Sequence, residues 1–366
     1  MLLSTRLMLK WPSCDRVERR ADREVSGGRR ADSSGKHWAG VGGRLTLEVL
    51  LHEAGDLDIK LDPNTADTKL DMSEDDTKLM APPSSFTPEL QSESPKSAQI
   101  SYRFMCPGPG RFQCSSTGLV FVMAQKTELV YKAIQWNESV LQPSGKIPAG
   151  LLFKIQCPED AVCQLHLPHC ETKDAEFLKS LLSVVHITDD GMSILKPLEI
   201  TDTHVIVTVS HFSAFGIVRA FEVFYRFFSN PCPVHGQVLL FLRPPNLNSQ
   251  RQNLHLVVLS RNVPLEEVRR RHQDSVYIPA PLKCLLFEDQ HYTVDCPTAF
   301  IVQPKKADFD LDFGPNYHPT FEIRLSTSIK VVTIALRDQK NTDVWKHDVD
   351  LTGPGPEGNH IFRHGL

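Results

Sequence analysis

The run His204-Val-Ile-Val-Thr-Val-Ser210, followed directly by His211-Phe212-Ser213, is the most informative stretch of this 366-residue chain. Its β-branched residues predict a short strand. Similar short apolar runs recur from Ile100 onward, separated by turn signals such as Pro107-Gly-Pro-Gly110 and Asp189-Asp-Gly191. Many short strands at this spacing are typical of a β-sandwich. The sequence therefore predicts an all-β fold.

The same pattern divides the chain into segments. Residues 1–97 are poor in aromatic residues and rich in charge, serine and proline, which predicts a disordered N-terminal region. Strand-like runs fill residues 98–212 and again residues 213–351, which predicts two consecutive β-sandwich subdomains. Residues 352–366 contain several glycines and prolines and are predicted to form a flexible tail.

Composition excludes several classes of protein. The hydrophobic content of 41% supports a sizeable core, and the net charge of −4 argues against a nucleic-acid binder. No apolar run is long enough to span a membrane. The nine cysteines are odd in number and follow no framework spacing, which favours reduced thiols. These features predict a cytoplasmic protein that binds neither nucleic acid nor membrane.

The Phe212-Ser213 bond has the residues required for self-cleavage. The Ser213 hydroxyl could attack the Phe212 carbonyl and convert the amide into an ester, which water would then hydrolyse. A tethered nucleophile can supply about 7–11 kcal/mol of the barrier when its geometry is right. Strain in the peptide would add about 1–3 kcal/mol. Such chemistry would make the chain a single-turnover serine protease on its own backbone, without external substrates or a cofactor.

Two histidines are candidates for the base. His211 precedes Ser213 by two residues, so both side chains project to one face of an extended strand. His186 lies on an earlier apolar run that could form a neighbouring strand. Asp189 and Asp190 follow His186, and either could orient an imidazole as the third member of a triad. The residues alone leave the choice of base open.

Two other interpretations compete with self-cleavage. In one, Ser213 is an ordinary strand residue and the sandwiches form a non-cleaving interaction scaffold. In the other, a metal is bound by the nearby Cys157, Cys163, His166, His169 and Cys170. Cys163 and His166 point to opposite faces of a strand, so convergence on one ion is not favoured and no metal is predicted.

A set of short motifs between residues 98 and 351 carries a resemblance to a known family. The motifs are Tyr102-Arg-Phe-Met-Cys-Pro-Gly-Pro-Gly110, Thr117-Gly-Leu-Val-Phe121, Leu165-His-Leu-Pro-His169, Val185-His-Ile-Thr-Asp-Asp-Gly-Met192, Phe212-Ser-Ala-Phe-Gly216, and Leu336-Arg-Asp through Val344-Trp345. As a set they resemble the function-to-find domain (FIIND) of NACHT–leucine-rich-repeat inflammasome sensors and their caspase-recruitment relatives. The resemblance implies a ZU5-like β-sandwich over 98–212 and a UPA-like β-sandwich over 213–351.

The resemblance also implies roles for individual residues. Phe212 would supply the carbonyl, Ser213 the nucleophile and His186 the family's histidine. Asp190 is the nearest match to the family's acidic residue, which is often the longer glutamate. Self-cleaving domains of the nucleoporin type use a His-Phe-Ser tripeptide, which keeps His211 as an alternative base.

The family's use of the cut implies a function in innate immunity and in the regulation of apoptosis or pyroptosis. The two cleaved pieces would stay associated until the piece Ser213–Leu366 is released and its UPA part oligomerises. The expected partners are the chain's own cleaved fragment, the UPA domains of related inflammasome sensors, and cytosolic dipeptidyl peptidases. The sequence shows no NACHT, leucine-rich-repeat or caspase-recruitment region, which is also consistent with a decoy for related sensors.

Overall fold

The fold is known from a computed structural model that describes residues 82–92, 99–158, 161–173, 175–209, 211–220, 233–245, 250–314 and 317–352. All of these residues belong to one structural unit of the chain, Lys60–Leu366. Residues 1–81 and the predicted tail from residue 353 lie outside the described residues. The described residues are mostly β-strand, which confirms the all-β prediction.

The first β-sandwich is built from two sheets. Its strands are β1 (Ser84–Phe86), β2 (Glu89–Ser92), β3 (Ile100–Cys106), β4 (Gly110–Cys114), β5 (Val120–Met123), β6 (Thr127–Ile134), β7 (Lys146–Gln156), β8 (Val162–Pro168), β9 (Leu182–Thr188), β10 (Gly191–Leu195), β11 (Glu199–Ile200), β12 (His204–Thr208) and β13 (Ala214–Ala220). One sheet has six strands in the order β1-β4-β5-β8-β12-β11, and the other has seven in the order β10-β9-β13-β7-β6-β3-β2. Two short helices, α1 (Glu138–Leu141) and α2 (Glu176–Ser180), connect strands of this sandwich.

The second β-sandwich is also built from two sheets. Its strands are β14 (Pro233–Arg243), β15 (Arg251–Ser260), β16 (Val276–Ile278), β17 (Lys283–Phe287), β18 (His291–Asp295), β19 (Ile301–Gln303), β20 (Ala307–Asp308), β21 (Phe321–Ser326), β22 (Val331–Arg337) and β23 (Asp343–Asp350). One sheet has the order β16-β14-β15-β21-β19, with β17 also paired to β14, and the other has the order β20-β18-β22-β23. A third helix, α3 (Leu265–Arg269), follows β15. Among the described residues, no helix has the length and apolar character needed to cross a bilayer.

Alternating apolar residues explain why these segments form strands with one buried face. In β21, Phe321, Ile323 and Leu325 are fully buried while the residues between them are partly exposed. This two-residue period directs one set of side chains into the core. β13 differs, because its residues are buried on both faces from Ala214 to Arg219. A central strand covered on both sides has this pattern.

The first sandwich begins earlier in the chain than predicted. β1 and β2 lie within residues 1–97, the region expected to be disordered, and they join the edges of its two sheets. The Phe86 side chain is buried and stacks on Phe104 with ring centroids 3.8 Å apart. Phe86 thus anchors β1 in the core, while β2 is exposed and is held by its pairing with β3.

The two sandwiches do not divide at residue 212. β13 lies between β9 and β7 in the seven-stranded sheet, so the residues just after Ser213 belong to the first sandwich by hydrogen bonding. The predicted second subdomain, 213–351, therefore begins with a strand of the first. A cut before Ser213 would leave this strand covalently attached to the C-terminal piece.

Gly216 allows β13 to pack closely against Trp136. A Cβ atom at Gly216 would lie 2.5 Å from the Trp136 ring. The ring cannot swing away easily, since Trp136 is 8% exposed and its Nε1 donates a hydrogen bond of 2.9 Å to the Gly150 carbonyl. Gly216→Val is therefore expected to lower the free energy of unfolding by about 1–3 kcal/mol, despite the β-propensity of valine. Denaturant unfolding measures the change.

Gly108→Val is the matched control for this substitution. A Cβ atom there meets nothing within 4 Å, and Gly108 has no left-handed backbone conformation. The control should change the free energy of unfolding by less than about 0.5 kcal/mol. Equal effects of the two substitutions would show that the Trp136 contact does not limit residue size at Gly216.

Candidate functional site

The pairing of β9 with β13 brings His186 close to Ser213. His186 lies directly opposite Phe215 in this antiparallel pair, and Ile187 lies opposite Ala214. Ser213 immediately precedes β13, next to the Ala214–Ile187 pair. Because the Ser213 hydroxyl bonds to the carbonyl of Ile187, the residue that follows His186 on β9, the two candidate residues lie in the same part of the sheet.

The Ser213 hydroxyl is held by backbone groups. It donates a short hydrogen bond to the Ile187 carbonyl on β9 and accepts one of 2.5 Å from the Ala214 amide. The Ser213 carbonyl accepts a hydrogen bond of 2.8 Å from the Ile155 amide on β7. Backbone groups from both neighbouring strands thus fix the nucleophile candidate, and its proton points to a carbonyl rather than to an imidazole.

The His186 imidazole is stacked and partly buried. Its ring lies parallel to that of Phe215, with centroids 4.3 Å apart and an interplanar angle of 7°. Its Nε2 atom is buried without a hydrogen-bond partner among the described residues. A buried polar atom left unsatisfied costs about 1–3 kcal/mol and is a feature of functional sites.

Burial also keeps His186 in the form that can accept a proton. Desolvation lowers its pKa below the ordinary value for histidine, and the nearby positive charge of His211 lowers this pKa further. The neutral imidazole is therefore the favoured form near pH 7.

The other predicted site residues, Phe212, His211 and Asp190, do not complete a catalytic triad with Ser213 and His186. The half-buried Phe212 packs against the core, with its ring edge-on to Phe215 at 6.3 Å. His211 is exposed, and so is Asp190 in the turn between β9 and β10. Within the described part of the chain, Asp190 forms no hydrogen bond or ion pair with either histidine. The role assigned to Asp190 remains a prediction.

The backbone at the candidate Phe212-Ser213 bond shows neither a cis peptide nor a left-handed φ at Ser213. Neither a cis bond nor a left-handed φ therefore strains this peptide. Any strain of these two kinds would have to arise as the hydroxyl approaches the Phe212 carbonyl.

The candidate metal ligands are dispersed. Cys163 is exposed, Cys170 is fully buried, and His169 Nε2 contacts the Thr201 carbonyl at 2.9 Å. Across the described ranges, no three His, Cys, Asp or Glu side chains gather as metal ligands would. His166 is buried at 5% exposure, and burial, together with the charge of Arg111, lowers its pKa to about 4.

His166 gives a prediction for the pH dependence of stability. Below about pH 6.5 the unfolded chain protonates this histidine, whereas the folded chain resists protonation down to about pH 4. Stability is therefore lost as the pH falls through this window, by up to about 3 kcal/mol. Denaturant unfolding at pH 7 and pH 4.5 should show a smaller loss for His166→Gln than for the unsubstituted protein. The exposed His318→Gln should keep the full loss, and equal losses in both variants would contradict the assignment.

Comparison with known proteins shows the family. Residues 95–224 match the family described as "Function to find", FIIND, and residues 234–349 match the UPA-FIIND domain. The two matches correspond to the two β-sandwiches. This chain belongs to the FIIND family.

Individual relatives carry the FIIND within much longer proteins. Over 171 residues the chain is 27% identical to the Mus musculus NACHT, LRR and PYD domains-containing protein 1b allele 5, a match that covers 45% of this chain and 14% of that protein. Over 122 residues it is 29% identical to the Mus musculus NACHT, LRR and PYD domains-containing protein 1a. Over the same length it is 30% identical to the Rattus norvegicus NACHT, LRR and PYD domains-containing protein 1a allele 1. Each match covers 32% of this chain and 10% of the relative. The chain thus spans less than a sixth of the length of these relatives.

Sequence reasoning missed two residues of the candidate site. The stacking partner Phe215 and the carbonyl acceptor Ile187 were not among the predicted site residues. The signal for Phe215 was its spacing, because it is an aromatic residue only two positions after Ser213. Nothing in the sequence signals a backbone carbonyl, since Ile187 acts only through the register of β9 with β13.

Proposed function

We propose that this FIIND cleaves its own backbone between Phe212 and Ser213. The observation that carries the proposal is the position of Ser213 beside His186, whose Nε2 is buried and unpartnered among the described residues. His186 would accept the hydroxyl proton as Oγ attacks the Phe212 carbonyl carbon. The C–N bond then breaks, an ester forms, and the proton passes to the departing Ser213 nitrogen. Water hydrolyses the ester to a Phe212 carboxylate and a free Ser213 hydroxyl.

The proposal makes His186 the base and His211 an auxiliary group. His186 is stacked and its lowered pKa favours the neutral form, whereas His211 is exposed and, among the residues that the structure describes, forms no hydrogen bond that would direct it to Ser213. A fixed imidazole is the better proton acceptor because it needs no ordering before the reaction. His211 would act on His186 electrostatically, since it contributes to the lowered pKa of that imidazole.

β13 supports the proposal that the two pieces stay associated after the cut. The strand would belong to the C-terminal piece, yet it is hydrogen-bonded to β9 and β7 of the N-terminal piece. Its residues are buried from Ala214 to Arg219. Each fully buried aliphatic or aromatic side chain contributes about 1.5–3 kcal/mol, so the strand would resist withdrawal.

Contacts between the two sandwiches add to this association. Tyr102 on β3 donates a hydrogen bond of 2.6 Å to Glu267 on α3. Asn262 donates one of 3.1 Å to the Ala149 carbonyl on β7, and the His235 amide donates one of 2.7 Å to the Cys170 carbonyl. These bonds join segments on opposite sides of the proposed cut.

We further propose a role as a release switch in cytoplasmic innate immune signalling. Removal of the N-terminal piece would free the C-terminal piece, whose UPA part would oligomerise with its own copies or with the UPA domains of related inflammasome sensors. The family resemblance supports this role and also suggests cytosolic dipeptidyl peptidases as partners.

A non-cleaving interaction scaffold is the second candidate. The hydrogen bond from Ser213 to the Ile187 carbonyl and a peptide with neither a cis bond nor a left-handed φ favour it, since the hydroxyl is not aimed at the imidazole. The intact mass of the expressed chain under denaturing conditions separates the two candidates. Self-cleavage predicts pieces corresponding to residues 1–212 and 213–366 that co-elute under native conditions, whereas a single full-length mass would favour the scaffold.

A further inference from the structure

We propose that Phe215 is the positioning residue for the His186 imidazole, an inference that rests on the proposed self-cleavage. The two residues face each other across β9 and β13, and their rings are stacked in parallel at 4.3 Å. Phe215 is 1% exposed, so its own ring has little freedom to move. The stack therefore sets the plane in which the imidazole lies.

The need for such a residue follows from the missing acid. In a Ser-His-Asp triad a carboxylate orients the imidazole through a hydrogen bond. Here Asp190 makes no such bond, and the described residues place no other carboxylate in hydrogen bond with His186. Turning the imidazole out of the stack would drive its edge into Phe215. Steric confinement by an aromatic face thus replaces the hydrogen bond of a third triad member.

The same ring also contacts the residue whose carbonyl is attacked. Phe212 lies edge-on to Phe215 at 6.3 Å with an interplanar angle of 69°. One ring therefore contacts both the base and the residue that supplies the acyl group, and it follows the nucleophile by two positions in the chain. Misplacement by about 1 Å can slow a reaction about 100-fold. A single buried phenyl group accordingly controls the alignment of base and carbonyl.

Phe153 provides a matched control. It lies on β7 directly opposite Phe215, on the side away from β9, and is 2% exposed. Phe215→Leu and Phe153→Leu therefore remove the same atoms from neighbouring positions of one core. Only the first substitution removes the stack on His186.

The test measures self-cleavage and the imidazole environment separately. Phe215→Leu should slow self-cleavage about 10- to 100-fold and move the midpoint of its pH profile, whereas Phe153→Leu should stay within about 3-fold with an unchanged midpoint. Phe215→Tyr, which keeps the stack, should restore most of the rate. In Ser213→Ala protein, NMR should show upfield-shifted His186 ring protons that return toward ordinary values on adding Phe215→Leu.

Each outcome decides between named alternatives. Equal rates and equal pH midpoints for the two leucine variants would overturn the positioning role. Absence of an upfield shift in Ser213→Ala protein would overturn the stack itself. If the upfield NMR shift is present but the unsubstituted protein stays uncut, the self-cleavage proposal fails. The positioning role of Phe215 then fails as well, and its contact with His186 is a packing contact only.

Discussion

Ser213→Ala is expected to yield one full-length chain under denaturing conditions, where the unsubstituted protein yields two pieces. The substitution removes the only atom that can form the ester and leaves the backbone of β13 unchanged. It also removes the hydrogen bond to the Ile187 carbonyl, which costs about 1 kcal/mol and does not unfold the sandwich. The loss of cleavage should therefore be complete while the folded state persists.

Substitution of the two histidines should separate their roles. His186→Gln is expected to slow cleavage at least about 100-fold, because general base catalysis typically contributes about 10²–10⁴. His211→Gln should slow it no more than about 3-fold, since the exposed His211 affects the reaction only through its charge on His186. A time course of cleavage after refolding measures both rates. His318→Gln, an exposed substitution in the second sandwich, controls for nonspecific effects.

Two outcomes would contradict this assignment. Two pieces from Ser213→Ala would show that an external protease makes the cut. Slow cleavage in His211→Gln alone would identify His211 as the base, in line with the His-Phe-Ser alternative. Ser213→Cys keeps a nucleophile at the same position and should retain measurable cleavage. Cleavage by this variant would show that the reaction requires a nucleophilic side chain and not serine itself.

The sequence predicts most of the fold because strand patterning is local. The alternation in Phe321–Ser326 and the β-branched run before His211 define strands without reference to the rest of the chain. The sequence also placed His186 on a strand that could neighbour Ser213, and the structure confirms that β9 pairs with β13. What it could not predict depends on contacts between distant residues.

Two features illustrate this limit. β13 belongs to the first sandwich because of its pairing with β7 and β9, and a division of the chain by strand-like runs cannot detect that pairing. β1 and β2 are ordered through the contact of Phe86 with Phe104 and through pairing with β4 and β3, although their own composition is polar. In both cases tertiary contacts override a local signal.

Arg219 joins three parts of the molecule through a buried ionic cluster. It lies on β13 with a side chain 3% exposed, and its Nη2 donates a hydrogen bond of 2.6 Å to Glu288 of the second sandwich. Its Nη1 is 4.0 Å from Glu171, which follows β8 and is 2% exposed. Burial raises the pKa of both carboxyl groups, although the guanidinium opposes this rise. Arg219 and Glu171 would lie on different pieces after the cut.

Arg219→Met is expected to lower the free energy of unfolding by about 3–5 kcal/mol, because removing one partner leaves buried charges uncompensated. Arg337→Met is the matched control. Arg337 also pairs with two carboxylates, Asp295 at 2.9 Å and Asp343 at 2.7 Å, but these pairs lie near the surface. Surface pairs contribute about 0–1 kcal/mol, so the control should change little. Denaturant unfolding measures both variants, and equal small losses would contradict the importance of the cluster.

The pH dependence of this loss distinguishes a charge effect from a packing effect. Without Arg219, Glu171 and Glu288 would have pKa values raised further by burial, so the folded protein would bind more protons than the unfolded chain at neutral pH. Stability then rises as the pH falls, and the destabilisation should be largest near pH 8 and shrink toward pH 5. A triple variant that adds Glu171→Gln and Glu288→Gln removes both carboxyl groups and should recover much of the loss at pH 8. If the loss is instead independent of pH and the triple variant is no more stable than Arg219→Met, Arg219 acts through its packing volume rather than through its charge.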